Sequence, residues 1–281
     1  MRIFRNILLI SIPTVLILII ILELFFRFVI TASNPPQSYF DDKDNILRFD
    51  TEQKTGYTTI GRFAEIKTAW RINNAGWNFA NDYQNHGEEK LVAVIGDSYI
   101  EAFQVDVNKN YPHIMDQESG DKYRVYAFGK SGAPLSQDLH ISRYVKKYYN
   151  PDVFIINLVH NDFDESVRDI KAKSSYFMQL SIDMDDLVSE IEPRTDKSLA
   201  QYSPIKRYMF KSAIFRYLYI NLEVSSIMKN LTSRGNKNID ANIDVEQVED
   251  NRDKIYTAVD YIISTLRKEN PDKRIIYVLD G

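Results

Sequence analysis

From Ile7 to Leu22 the chain carries no charge, and only Ser11, Pro13 and Thr14 interrupt its aliphatic character. In a bilayer the backbone N–H and C=O groups find no water, so a run of this kind is confined to a helix that satisfies them internally. Extended to Ile30 it is about 36 Å long at about 1.5 Å per residue, against a hydrocarbon layer of about 30 Å. Glu23 and Arg27 stand one turn apart near its far end, where the arginine can reach toward water. Arg2 and Arg5 precede the run, whereas the thirty residues after it have Lys43, Arg48 and Lys54 against several acids. The positive-inside rule therefore predicts a cytoplasmic tip and anchor over 1–30 and a large domain outside the cytoplasm. The chain is read as single-pass in the cell membrane, contacting lipid through residues 7–30. A cleaved signal peptide is the rival. Its apolar region is usually shorter and no A-x-A site follows, although Thr31-Ala32-Ser33 is composed of small residues.

The remainder is long enough for one large core or two small ones. Hydrophobic residues are 44% and charged residues 26% of the 281, the balance of a folded domain rather than a disordered tail. The formal charge is −4, and residues 1–30 contribute +2 of it, so the rest is acidic. That speaks against nucleic acid as a partner, which is held by neutralising phosphates. There is no cysteine, which excludes disulfides, thiolate metal sites and cysteine nucleophiles.

Asn34-Pro35-Pro36-Gln37-Ser38 has linker composition, and residues 31–90 read as linker and lead-in. From Leu91 the pattern sharpens. Leu91–Ile95 is an apolar run ending at Gly96, as a buried parallel strand requires. A short helix is predicted over 109–119, and a second strand over Tyr123–Phe128, ending at Gly129. Pro134 suits the first position of a helix containing Leu135, Leu139, Ser142, Val145 and Tyr149, which Asn150-Pro151 stops. A third strand is predicted over Val153–Val159. Ile255, Ala258, Val259, Ile262 and Leu266 make one apolar helical face, and Arg274–Leu279 a fourth strand. Residues 91–281 thus predict an α/β fold, a three-layer α/β/α sandwich about a parallel sheet, with an insertion over 163–250 read as mostly helical. Within it, Ile205–Met228 has Phe210, Ile214, Tyr217 and Leu218 at helical spacing. A helix packed on the domain is the default reading, and a lid or membrane-surface helix the alternative. Asn230-Leu231-Thr232 is a glycosylation sequon.

Ligands of open α/β sheets bind beyond the carboxyl ends of the strands. Three such ends carry polar residues: Gly96-Asp97-Ser98-Tyr99, Gly129-Lys130-Ser131-Gly132-Ala133 and His160-Asn161-Asp162. A serine on a tight turn after a buried strand can be an exposed nucleophile. The N–H of Ser98, the N–H of Gly132 and the amide of Asn161 can then converge on one oxyanion. Taken singly, each has a plainer reading: Asp97 or Ser98 as a helix cap, Gly132 as a helix entry, Asn161-Asp162 as a turn or cap. Asp162 is read as holding its loop.

In this order the three motifs resemble the SGNH, or GDSL-type, hydrolases. Gly96-Asp97-Ser98 matches the first block. Gly132 matches the glycine of the second, with Gly129 as a less favoured alignment. Val159-His160-Asn161-Asp162 matches the third, and Asn73-Asn74-Ala75-Gly76-Trp77 looks like the lead-in of membrane-anchored bacterial members. The resemblance implies a flavodoxin-like parallel sheet, Ser98 as nucleophile, Gly132 and Asn161 as oxyanion donors, and no cofactor or metal. The implied activity is hydrolysis of carbohydrate or lipid O-acyl esters, on an acylated small molecule or polysaccharide.

Two departures stand out. Val159 replaces a glycine, and the Asp-x-x-His block that supplies the general base is absent; His86, His113, His140 and His160 all lie elsewhere. A serine without a base keeps its proton. Because Gly281 directly follows a strand, the chain is expected to continue into the missing block, and these 281 residues alone to be nearly inactive. An exopolysaccharide O-acyltransferase and a non-catalytic binding module of the same fold are the alternatives.

Overall fold

The computed structural model describes residues 7–84, 89–195, 204–224 and 249–279. Ten strands run in chain order: β1 Ser38–Asp41, β2 Ile46–Phe49, β3 Thr55–Ile60, β4 Ile66–Arg71, β5 Lys90–Gly96, β6 Tyr123–Gly129, β7 Val153–Leu158, β8 Gln179–Ile182, β9 Val188–Ile191 and β10 Arg274–Leu279. The chain forms two compact units. The described residues of the first fall within Met1–Pro35, Gly56–Thr68 and Tyr202–Asn236, and those of the second within Pro36–Thr55, Ala69–Gln201 and Lys237–Gly281.

The second unit is an α/β fold around a four-stranded parallel sheet in the order β10-β7-β5-β6. All four predicted sheet strands are present. Beyond their first two residues β5 and β6 are wholly buried, as is β7 beyond its first, which is why these segments read as continuous apolar runs rather than as alternation. The chain steps from β5 to β6 in one direction, then crosses back to β7 and on to β10. Right-handed crossovers place the first connecting helix, Tyr111–Ser119, on one face and the helices Leu135–Tyr149 and Arg252–Glu269 on the other. Ile255, Ala258, Ile262 and Leu266 are buried on the apolar face read from their spacing. The core also takes Trp77 and Phe79 from the lead-in; Trp77 meets Phe128 of β6 edge-on at 5.5 Å.

The structure departs from the sequence reading at four places. The third strand stops at Leu158, not Val159, because the Val159 N–H is taken by the Asp162 carboxylate at 2.8 Å. Pro134 is extended, with ψ 167°, and caps the helix rather than opening it. The 163–250 insertion is not mostly helical in its described part, since β8 and β9 pair antiparallel. Their turn has neither glycine nor proline; Asp183 instead accepts from the Asp185 and Leu187 N–H groups, and Asp186 adopts φ 58°. The predicted helix from Ile205 breaks into Pro204–Met209 and Ala213–Arg216, the latter continuing as a π-helical turn to Asn221. It belongs to the first unit. The sequon at Asn230 lies outside the described residues.

The first unit contains the apolar helix Ile12–Phe28, opened by a π-helical turn at Ile7–Ser11. Leu9–Phe28 is long and apolar enough to cross a bilayer, and none of its residues is buried, as in either a signal sequence or an anchor. Residues 31–90 carry β1 to β4 and contribute to both units.

Candidate active site

Because β5 lies between β6 and β7, the three polar loops issue from adjacent strand ends, with Gly96 and Gly129 in register. The crevice outside β5 and β7 is where the strand order reverses, the usual ligand position in such sheets. Ser98 follows one of these strands and Asn161 the other.

Ser98 opens a one-turn helix, Ser98–Glu101. The Asp97 carboxylate accepts from the Tyr99 N–H at 3.0 Å and from the Ser98 hydroxyl at 3.1 Å. Asp97 therefore is the cap, and Ser98 is half-buried on the first helical position. The turn sits hard against the neighbouring strand. A Cβ on Gly129 would lie 2.1 Å from the Glu101 nitrogen, and one on Gly96 2.8 Å from Ile100 Cγ1. Gly132 is different: its φ is +80°, and a Cβ there would meet nothing closer than Lys173 Nζ at 3.8 Å. It supplies a left-handed backbone, with Lys173 and the Phe177 ring at ordinary van der Waals distance.

Asn161 is half-buried at the start of the short helix Asp162–Glu165. Its side chain makes no capping hydrogen bond, so the amide is not consumed in holding that turn. Asp162 does that work through Val159. Burial pushes the Asp162 carboxyl up to about 7, against the Val159 hydrogen bond, and the like charges of Asp97 and Glu165 add to the shift. Asp138, one turn into the Leu135–Tyr149 helix, is 1% exposed. Burial again, then Asp162 and Asp97, raise it well above the carboxylate range. One oxygen of each of Asp138 and Asp162 has no hydrogen-bond partner. Asp138 and Asp162 thus lie near one another, and burial favours the protonated form of both.

Sequence reading missed several residues here. Asp138 lies on a helix face with no distinguishing pattern. Glu101, three residues after Ser98, pairs with Lys130 at 2.9 Å, both buried, and also accepts from the Ser131 hydroxyl. Lys130 reaches Ser38 Oγ at 3.2 Å and lies over the Phe49 ring. Asn78 donates to the Glu101 carbonyl at 2.7 Å. Lys173, held by Glu165 at 2.8 Å, places an ammonium next to Gly132. Only the Asn-rich lead-in gave any signal: Asn73 Oδ1 accepts from the Ala75 and Trp77 N–H groups at 3.0 Å each, with Gly76 at φ +82°.

The described histidines are engaged as follows. His140 Nε2 faces the Asp44 and Asn45 carbonyls, and His113 packs edge-on to Phe79. His160 is exposed and lines an apolar cavity of about 310 Å³ with Phe163, Arg252 and Tyr256. His86 lies outside the described residues. Among the described residues no group of His, Cys, Asp or Glu is arranged to hold a metal ion.

No family model and no curated protein matches the sequence. Among solved structures the chain is similar to the SGNH-hydrolase family esterase AlinE4, with TM-score 0.27 and 16% identity over 68% of this chain and 77% of that one. A variant of the same esterase aligns with TM-score 0.27 and 18% identity over 62% of this chain and 98% of that one. At this level of similarity the site rests on the chain's own residues.

Proposed function

We propose that this protein is a serine ester hydrolase of the SGNH type, anchored by Ile12–Phe28 and facing outside the cytoplasm. The observation that supports it best is the sheet order: β5 between β6 and β7 brings the Ser98, Gly132 and Asn161 loops to one edge at the switch point. In this reading Ser98 Oγ attacks the ester carbonyl carbon, and its proton passes to a base. The carbonyl oxygen becomes an oxyanion that accepts from the N–H groups of Ser98 and Gly132 and from the Asn161 amide. Collapse expels the alcohol and leaves an acyl-serine, which water hydrolyses.

The base is not among the described partners of Ser98, whose hydroxyl donates to Asp97. The 281 residues contain no Asp-x-x-His. O-acyl groups of cell-surface polysaccharide are the proposed substrate class. A non-catalytic module of the same fold draws support from the Ser98–Asp97 bond.

A fluorophosphonate probe on the protein isolated from its native membrane separates the readings. Labelling that maps to Ser98 and vanishes in Ser98→Ala is expected. An unlabelled native protein that also fails to cleave p-nitrophenyl acetate would overturn the proposal.

A further inference from the structure

We propose that residues 205–219 form an interfacial foot, lying in the headgroup layer of the bilayer that Ile12–Phe28 crosses, with lipid as its occupant. The starting point is Glu23. A carboxylate so close to the hydrocarbon needs partners, and ionisable residues within a span face protein or water rather than lipid. Glu23 has four donors: Arg27 at 2.5 Å, the Ser212 hydroxyl at 2.8 Å, and the N–H groups of Ala213 and Ile214 at 2.9 and 3.2 Å. Arg27 also donates to the Lys211 carbonyl at 3.1 Å. The Tyr217 ring stacks on Phe26 with centroids 4.0 Å apart, and Arg216 Nε donates to the Ser33 carbonyl at 3.1 Å. These contacts fix the height of the segment along the apolar helix. Ser212 lies level with Glu23, the residue that follows the uncharged run ending at Leu22.

At that height the exposed side chains are aliphatic and aromatic, with the exposed Lys211 ammonium over the Tyr208 ring. Ile205, Tyr208, Leu218 and Tyr219 are 72%, 75%, 42% and 47% exposed. Tyr219 also packs with Phe210 and Phe215. The turn between β3 and β4 adds Phe63, 70% exposed, and is tied to the segment by Tyr217 Oη donating to the Arg62 carbonyl at 2.8 Å. Tyrosines beside aliphatic residues are the composition of the membrane–water boundary, where an aromatic ring meets the acyl chains and its hydroxyl meets water. The segment is held against an apolar helix none of whose residues is buried. That attachment to a lipid-length apolar helix is what selects lipid over a protein partner. The inference does not depend on the Ser98 chemistry.

The chain has no cysteine, so single nitroxide labels can be introduced without background. Full-length Tyr208→Cys, Leu218→Cys and Phe63→Cys proteins would be labelled in vesicles of phosphatidylcholine and phosphatidylglycerol. Met184→Cys, at a fully exposed position of the other unit, is the control. Oxygen concentrates in lipid and a nickel chelate in water. Labels at 208 and 218 are expected to favour oxygen, at a depth of about 5–10 Å, and the label at 184 to favour nickel. Nickel access at 208 and 218 equal to that at 184 would overturn the foot. Shielding from both reagents would assign the surface to a protein partner instead, and would overturn it equally. Glu23→Leu, which keeps the span apolar, is expected to increase label mobility at 218. Unchanged mobility there would show that Glu23 does not set the height of the segment.

Discussion

Lys130 Nζ lies 2.9 Å from Glu101 Oε1, with the two side chains only 8% and 4% exposed. This pair joins the loop after β6 to the turn after β5, and so ties the Gly132 loop to the Ser98 turn. Its surroundings satisfy it further, through Ser38, Ser131 and the face of Phe49. Such a pair gains little over an apolar replacement, yet removing one member strands the other charge in a low dielectric.

Glu101→Gln or Lys130→Met is therefore expected to cost about 3–5 kcal/mol of stability, read as a lower urea midpoint. The double variant should lose less than the sum of the two. Strict additivity would show that the charges do not interact.

The two loop glycines should respond differently. Gly129→Ala forces a methyl to within 2.1 Å of backbone nitrogen, a cost beyond the roughly 1–3 kcal/mol of ordinary overpacking, and soluble yield should collapse. Gly132→Ala meets no such clash and should cost only the left-handed strain of about 1–2 kcal/mol. It should fold, with its loss concentrated in turnover. Equal yields of the two variants would contradict the close approach at Gly129.

Stability should depend on pH with an unusual sign. Asp162 titrates at about 7 in the folded chain, above the ordinary aspartate value, and Asp138 shifts the same way. The folded state therefore binds these protons more tightly than the unfolded chain does. That stabilisation is complete below the unfolded pKa of about 4 and is lost as pH rises through the folded values. Glu165 and Glu190 are lowered and oppose the trend only in acid, whereas burial lowers His113 and His140, which oppose it where imidazole titrates. The aspartates' share is read as a difference: the midpoint of Asp162→Asn/Asp138→Asn should rise relative to that of the wild type as pH goes from 5 to 8. A difference between the two proteins that stays constant over this range would refute the raised carboxyls.

If the site is an esterase, Ser98→Ala should abolish hydrolysis and Asn161→Ala should lower kcat by about 10²–10³, the usual cost of one oxyanion donor. KM should change little. A tenfold rise in KM at constant kcat would make Asn161 a binding group only.

The parallel strands were legible because both faces of β5, β6 and β7 are covered, which writes burial directly into short apolar runs such as Val92–Ile95. The Ser98, Gly132 and Asn161 loops were legible because glycine and Asn-Asp punctuation falls at strand ends. The β8–β9 hairpin was not, since its turn is closed by Asp183 and Asp186 without glycine or proline. Nor was the break at Phe210–Ser212, because helical spacing continues through it and the interruption is set by Glu23, 189 residues away from Ser212.

By itself, then, the sequence determined the apolar helix, the parallel sheet and the polar loops at its carboxyl edge, all of which follow from periodicity and turn chemistry within a dozen residues. Only the tertiary structure decided which ionisable groups are buried and with whom. Asp138 beside Asp162, Lys130 on Glu101 and Glu23 beneath Ser212 are pairings between distant segments, and a carboxylate's protonation and partners depend on what surrounds it in space rather than on its neighbours along the chain.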